Sequence, residues 1–201
     1  NFFMQGMTYE IEFVPVDTTQ QKVVYEDHSV TVETVPLRHR VPCCGYIFRE
    51  KPTLPHIRRD MIDYYGIPLS QINNIKNGAD WTTPEGDIVP NSRLVEPADA
   101  PRSYAYCSDT CYLPDLYERV KDVTVLYHES TYTSENEDRA KIYYHSTARQ
   151  AALVAQKAGA GRLLLGHYSA RYNNENVLLE EAKAVFPESY LAQEGMVFEV
   201  K

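Results

Sequence analysis

Leu163-Leu164-Leu165-Gly166-His167 is a short apolar run that stops at a side chain able to bind a metal. Two other segments are built the same way, Leu37-Arg38-His39 and Cys107-Ser108-Asp109-Thr110. Strands fix the direction of groups that project beyond a sheet edge, so ligands placed at strand ends converge when the strands are neighbours. His39, Asp109 and His167 are therefore the first candidates for a metal site.

Working outward from residue 167, the chain after Pro97 alternates between strand and helix patterns. Strands are predicted at 103–107, 123–127 and 163–165, helices at 113–120, 147–158 and 177–185, and short terminal strands at 189–191 and 196–200. The helix after His145 carries its own start signal. Ser146 or Thr147 can accept from the first free backbone amides, and Gln150 sits three residues past Thr147. This rhythm specifies an α/β fold. Towards the N-terminus, alternation at 9–14, 22–26 and 30–35 predicts a small β meander leading to His39, followed by a strand at 45–49. The apolar Phe2-Phe3-Met4 reads as the end of an element already under way. Between residues 50 and 97 the texture changes: prolines cluster, two short helices are expected at 56–65 and 69–77, and a hairpin around Pro84-Glu85-Gly86-Asp87. This is read as an inserted arm, with 1–49 and 98–201 forming the main domain.

At 201 residues the chain is long enough to bury a core, and its 43% hydrophobic and 24% charged content excludes disordered and collagen-like classes. No apolar run is long enough to span a bilayer and no signal-peptide pattern opens the chain, so a cytoplasmic location without membrane contact is expected. A net charge of −8 argues against a generic nucleic-acid binder, although local basic residues can still serve a specific RNA. Cys43, Cys44, Cys107 and Cys111 are four possible zinc ligands. Adjacent cysteines in a strand point to opposite faces, however, so reduced, packed thiols are the expectation.

Histidine and aspartate suit a divalent ion such as zinc, and an aspartate can bridge two of them, which makes Asp109 the bridge candidate. A second chemistry is offered by Tyr127-His128-Glu129-Ser130-Thr131 and Tyr143-Tyr144-His145-Ser146-Thr147. Glu129 could orient the His145 imidazole and hold its proton, making it a general acid for an alkoxide leaving group. The competing reading puts Glu129 in a surface salt bridge and His145 beside a helix cap. Arg171 and Ser169, just past the Leu163–Leu165 run, could hold a phosphate, with tyrosines available to stack on bases. His28 and His56 are read as surface residues.

Taken in order, Pro36-Leu37-Arg38-His39 with Gly45-Tyr46, Ser108-Asp109-Thr110, His128-Glu129-Ser130-Thr131, His145-Ser146-Thr147 and His167-Tyr168-Ser169-Ala170-Arg171-Tyr172 resemble ribonuclease Z, the tRNA 3′-processing endonuclease family of the metallo-β-lactamase superfamily. The resemblance covers nearly the whole chain. It implies a four-layer αββα sandwich, here mainly its C-terminal half. It implies two Zn2+ ions per complete site, His39 binding the first, Asp109 bridging both and His167 binding the second. It further implies that a metal-held hydroxide attacks the phosphodiester after the discriminator nucleotide of a precursor tRNA. His145 would then protonate the leaving 3′ oxygen with support from Glu129, and Ser169 and Arg171 would lie near RNA phosphates. The insertion at 50–97 would be the tRNA-binding arm, with Arg58, Arg59 and Lys76 as its exosite, and homodimers would be usual.

Several positions depart from the family pattern. Ser108 stands where glycine is usual, Ser130 replaces an alanine, and Gly166 stands where threonine is common. The arm offers Gly66-Ile67-Pro68 in place of a glycine-proline loop. The largest departure is that no His-x-His-x-Asp-His string occurs anywhere in residues 1–201. In the family that string supplies the remaining ligands, so the chain is read as a C-terminal portion expected to be inactive alone. The alternatives are another phosphodiesterase of the same superfamily, or a non-catalytic half acting as a binding module.

Overall fold

The computed structural model describes residues 9–201, so the reading made for Phe2-Phe3-Met4 lies outside the described residues. A seven-stranded sheet runs through the main body. The antiparallel strands β1 (Val23–Glu26), β2 (Val30–Pro36) and β3 (Cys44–Glu50) lie on one side. Residues 50–97 then form a separate lobe from β4 (His56–Ile57), α1 (Arg59–Tyr65), α2 (Leu69–Lys76), the hairpin of β5 (Trp81–Thr82) and β6 (Ile88–Val89), α3 (Asn91–Leu94) and β7 (Val95–Glu96). The chain returns to the sheet as β8 (Ser103–Cys107), which pairs antiparallel with β3. From there α4 (Leu116–Arg119), β9 (Val125–Glu129), α5 (Glu137–Tyr143), α6 (Ala148–Ala158), β10 (Arg162–Gly166), α7 (Asn176–Lys183) and β11 (Ser189–Leu191) follow. The spatial order is β1-β2-β3-β8-β9-β10-β11, and β8 to β11 are parallel.

Alternation of side chains along the strands separates two faces. Val35, Ile47, Ala105, Cys107, Leu126, Leu163 and Leu165 point to one face and pack with Leu116 of α4, the alanines of α6 and Leu178 and Ala182 of α7. Small side chains let α6 lie close on the sheet. Its start is the capping box expected at Thr147, whose hydroxyl accepts from the Gln150 N–H while the Gln150 amide oxygen accepts from the Thr147 N–H. The opposite face carries aromatic pairs, Phe48 with Tyr104 and Tyr106 with Tyr127, the latter with ring centroids 4.7 Å apart. The lobe of residues 50–97 has its own core of Ile67, Ile75, Val89 and Leu94, and the short β4–β7 pair brings its two ends together.

Four expectations need correction. Residues 9–14 alternate but form no strand; Tyr9, Phe13 and Val14 are exposed, and alternation without a partner strand stabilises nothing. Residues 196–200 likewise form no strand. His56 opens no helix, because it pairs with Glu96 in β4–β7, and α1 begins only after Arg58. β9 lies two residues later than expected, since Asp122 adopts a left-handed φ of 54° and Gly161 and Arg162 donate to the Val123 and Thr124 carbonyls as the connection enters the sheet. That shift carries His128 and Glu129 into the strand. The helix α5, between Thr133 and Tyr144, was not foreseen.

Candidate active site

β8, β9 and β10 are parallel neighbours with Cys107 opposite His128 and Gly166 opposite Glu129, so their C-terminal ends finish at one sheet edge. Asp109, Glu129 and His167 therefore emerge together. His39 arrives at the same edge from the β2–β3 connection, because Pro36 pairs with Cys44 and Tyr46 with Tyr106. The β3–β8 contact needs Gly45: a Cβ there would lie 2.3 Å from the Tyr106 carbonyl oxygen. The His39 and Asp109 loops are then tied by the Cys111 N–H to the Arg38 carbonyl (2.8 Å) and by the Arg38 N–H to the Thr110 hydroxyl (3.2 Å). Asp109, Tyr144 and His167 all take the left-handed conformation, with φ of 57°, 61° and 56°. Non-glycine residues rarely adopt it, and such strain collects where a chain must turn sharply to aim a side chain.

The three histidines share one orientation. The ring Nδ1 of His39 is 3.0 Å from the Tyr144 carbonyl, that of His145 is 3.0 Å from Glu129 Oε1, and that of His167 is 2.9 Å from the Thr131 hydroxyl. A carbonyl or carboxylate accepts, so Nδ1 carries the proton in His39 and His145. In His167 the same assignment follows if the Thr131 hydroxyl gives its single proton to Glu129. In the neutral rings Nε2 then carries the lone pair and faces the site, and a second proton on His145 would sit on that Nε2. The rings stand side by side, His145 lying 5.0 Å from His39 and 5.1 Å from His167 between centroids. His167 Nε2 is 3.1 Å from Asp109 Oδ1. At that distance an Nε2–H can donate to the carboxylate, or both atoms can face one cation, and histidine and aspartate together are a donor set that suits a divalent ion. Ligand atoms of His39, Asp109 and His145 lie within 4.8 Å of one another, as do those of Glu129, His145 and His167.

Glu129 is fully buried, which rules out the surface salt bridge considered from sequence. Four groups donate to its carboxylate: the Thr110 N–H (2.5 Å), the Thr131 hydroxyl (2.6 Å), the Ser146 N–H (3.0 Å) and His145 Nδ1. Burial pushes this carboxyl up, but the hydrogen bonds from His145, Thr131 and Ser146 outweigh it and hold the group below its ordinary range. His145 moves the other way. Its hydrogen bond to Glu129 raises it, partial burial opposes the rise, and the Glu129 and Asp109 charges add to it. The outcome is an imidazole that keeps a proton more readily than a free histidine, aimed into the site.

Other candidates are placed as follows. The Ser169 N–H donates to the Thr131 carbonyl, and the Arg171 guanidinium lies over the Tyr132 ring at 5.6 Å and 3.4 Å from Asn136 Oδ1, so both border the site. Arg58, Arg59 and Lys76 lie in the separate lobe, away from these residues, and Arg58 is paired with Asp60. His128 is fully buried with Nδ1 on the Glu129 carbonyl; burial lowers it, and it is a neutral core histidine. His56 pairs with Asp99 at the surface. The four cysteines are free thiols. Thr131 was read only as part of a motif, yet it joins Glu129 to His167; no signal within the sequence sets it apart from Thr133. The Tyr144 carbonyl and the Thr110 N–H, being backbone groups, leave no trace in residue identity.

The chain is similar to curated proteins named ribonuclease Z. That of Bacteroides fragilis strain YCH46 is 50% identical over 196 residues, covering 98% of this chain and 64% of the relative. That of Phocaeicola vulgatus is 48% identical over 201 residues, covering 100% and 65%, and that of Porphyromonas gingivalis strain W83 is 45% identical over 194 residues, covering 96% and 64%. The chain thus spans just under two thirds of the length of these relatives. Among solved structures, the metallo-β-lactamase fold protein YhfI from Bacillus subtilis matches with a TM-score of 0.59 at 18% identity, over 98% of this chain and 61% of that one. The short form of human tRNase Z matches with a TM-score of 0.51 at 20% identity, over 90% and 47%. These two likenesses establish the metallo-β-lactamase fold. No family model matches the chain.

Proposed function

Because the chain is homologous to ribonuclease Z over nearly all of its length, we propose that it supplies most of the active site of a divalent-metal-dependent endoribonuclease that removes the 3′ trailer from tRNA precursors. The observation supporting this most directly is the buried Glu129–His145 pair set between His39 and the Asp109–His167 pair. His39, Asp109 and His167 would hold zinc, with Asp109 shared between two ions. Zinc held there would activate water and neutralise charge on the phosphodiester. His145, its proton favoured by Glu129, would donate to the 3′ oxygen that leaves, so that the tRNA ends in a hydroxyl. Ser169 and Arg171 would meet RNA phosphates, and the lobe of residues 50–97, through Arg58, Arg59 and Lys76, would grip the tRNA away from the cut. We further assign the assembly as a cytoplasmic homodimer; among the described residues no helix is long and apolar enough to cross a membrane.

His39, Asp109 and His167 are too few to fill two tetrahedral sites. Residues 1–201 alone are therefore expected to bind zinc weakly and to cleave nothing, the remaining ligands coming from sequence outside this range. The test is cleavage of a trailer-bearing precursor tRNA by the full gene product with zinc. His145→Ala should lower kcat by ~10²–10⁴-fold, the usual worth of a general acid. Cleavage that survives His145→Ala would favour a phosphodiesterase relying on metal alone. Robust cleavage by residues 1–201 without a complementing chain would refute the incomplete-site reading.

A further inference from the structure

Where β10 ends, two departures of the sequence meet: Gly166 stands where threonine is common, and Ser130 replaces an alanine. The space that a side chain at residue 166 would fill is taken by Tyr127. A Cβ on Gly166 would lie 2.1 Å from the Tyr127 hydroxyl oxygen, 2.5 Å from its Cζ and 2.7 Å from its Cε2, so the far end of the phenol lies across the glycine. Resting on the reading of His167 as a metal ligand, we propose that Tyr127 is a positioning residue for it. Held against Tyr106, the phenol fills the place of the absent side chain and seats the left-handed turn that aims the His167 imidazole at Asp109.

Strand register brings the two residues together. Tyr127 stands opposite Tyr106 in β8 and Leu164 in β10, and Gly166 lies two residues past Leu164, so Tyr127 and Gly166 are diagonal neighbours on the face turned away from the helices. The Tyr106 and Tyr127 rings stack with centroids 4.7 Å apart and planes 22° apart, which confines the phenol over the glycine. His167 needs a support of this kind. Its φ of 56° lies in the left-handed region, which a residue with a Cβ occupies only where its surroundings fix it. The peptide that leads into this turn is gripped at both ends. Its carbonyl, that of Gly166, accepts from the Ser130 N–H at 2.8 Å and from the Ser130 hydroxyl at 3.2 Å, a second donor that alanine would not supply. Its N–H, that of His167, is directed at the Tyr127 oxygen. Burial pushes the phenol up to about 12, the neighbouring Tyr106, Glu129 and Asp109 add to the rise and the His167 N–H opposes it, so the group stays neutral and its oxygen accepts. Both departures thus act on one peptide. Tyr127 and Ser130 also bracket Glu129 in sequence, so the segment that carries the carboxylate behind His145 sets the direction of His167 as well. A tyrosine that only filled space would need its ring and not its oxygen.

The test uses Tyr127→Phe in the full gene product, which keeps the ring on Tyr106 and deletes one oxygen. In the metal-free protein, residue-resolved amide hydrogen exchange should quicken severalfold at His167 and stay unchanged at Leu165. Zinc is then titrated into the wild type, Tyr127→Phe, His167→Ala and the double variant. Groups that orient a ligand are worth ~10–100-fold in metal affinity, so Tyr127→Phe should weaken by ~10-fold the zinc step that His167→Ala also weakens, and should add nothing in the His167→Ala background. Unchanged exchange at His167, unchanged zinc affinity whatever the melting temperature, or an equal loss in both backgrounds overturns the positioning role. Zinc affinity unchanged by His167→Ala overturns instead the ligand reading on which that role rests.

Discussion

Replacing Thr131 by valine keeps the volume of a buried side chain and deletes one oxygen, and that oxygen joins the two halves of the site. It lies 2.6 Å from Glu129 Oε2 and 2.9 Å from His167 Nδ1. A hydrogen bond to a charged, water-excluded carboxylate is worth ~1.5–3 kcal/mol. The His167 side chain is 40% exposed, so its freed N–H can turn to water and adds little to the cost. A loss of ~1.5–3 kcal/mol in a domain of this size lowers Tm by ~3–12 °C. The same change leaves the His167 ring free to rotate and exchange its tautomer, which for ligand-orienting groups costs ~10–100-fold in metal affinity. Calorimetry of the wild type, Thr131→Val and Thr131→Ser measures the first effect, and zinc titration of the full gene product measures the second. Serine retains the oxygen and should restore most of both. If valine melts with the wild type and binds zinc as tightly, the hydroxyl joins nothing, and the assignment of protons among Glu129, Thr131 and His167 is wrong.

A Cβ on Gly166 would lie 2.1 Å from the Tyr127 hydroxyl oxygen, so Gly166→Ala should destabilise by ~1–3 kcal/mol in denaturant unfolding and Tyr127→Leu should recover part of it; additive losses would count against the clash. The Glu129–His145 pair makes stability depend on pH with a defined sign. His145 is raised above its ordinary 6.5, so its contribution is complete below that pH and lost as pH rises through the folded value, whereas Glu129 is lowered below 4.5, so its contribution is present above that pH and lost on acidification. Denaturant melts in the metal-free state should therefore show the pair's benefit greatest between these limits, and His145→Gln should flatten the alkaline decline. Burial pushes the Cys107 thiol up to about 12, so mass spectrometry after native alkylation should find Cys107 unmodified while the partly exposed Cys43, Cys44 and Cys111 react.

The parallel half of the fold was legible because its strands are apolar runs of the right length and α6 announces its start with Thr147 and Gln150. The failures have a common physical form. Residues 9–14 and 196–200 alternate as strands do, but a strand exists only where another offers its hydrogen bonds, and sequence pattern says nothing about partners. The late start of β9 was hidden in the left-handed turn at Asp122, a conformation that residue identity only weakly signals. α5 was missed for a related reason: Glu137–Tyr143 buries only Ala140 and so carries no apolar stripe.

Residue types and their order by themselves specified an α/β chain, three metal-capable side chains at strand ends, a carboxylate and histidine apart from them, and a resemblance that homologues support. They did so because these features depend on local pattern and on chemical identity. Only the tertiary structure decided that Glu129 is buried under four donors, that Thr131 connects it to His167, that the three imidazoles turn the same nitrogen inward, and that Tyr127 fills the space a side chain at residue 166 would take. Those facts arise where strands β8, β9 and β10 end side by side, and adjacency in space is not written in the spacing of residues along the chain.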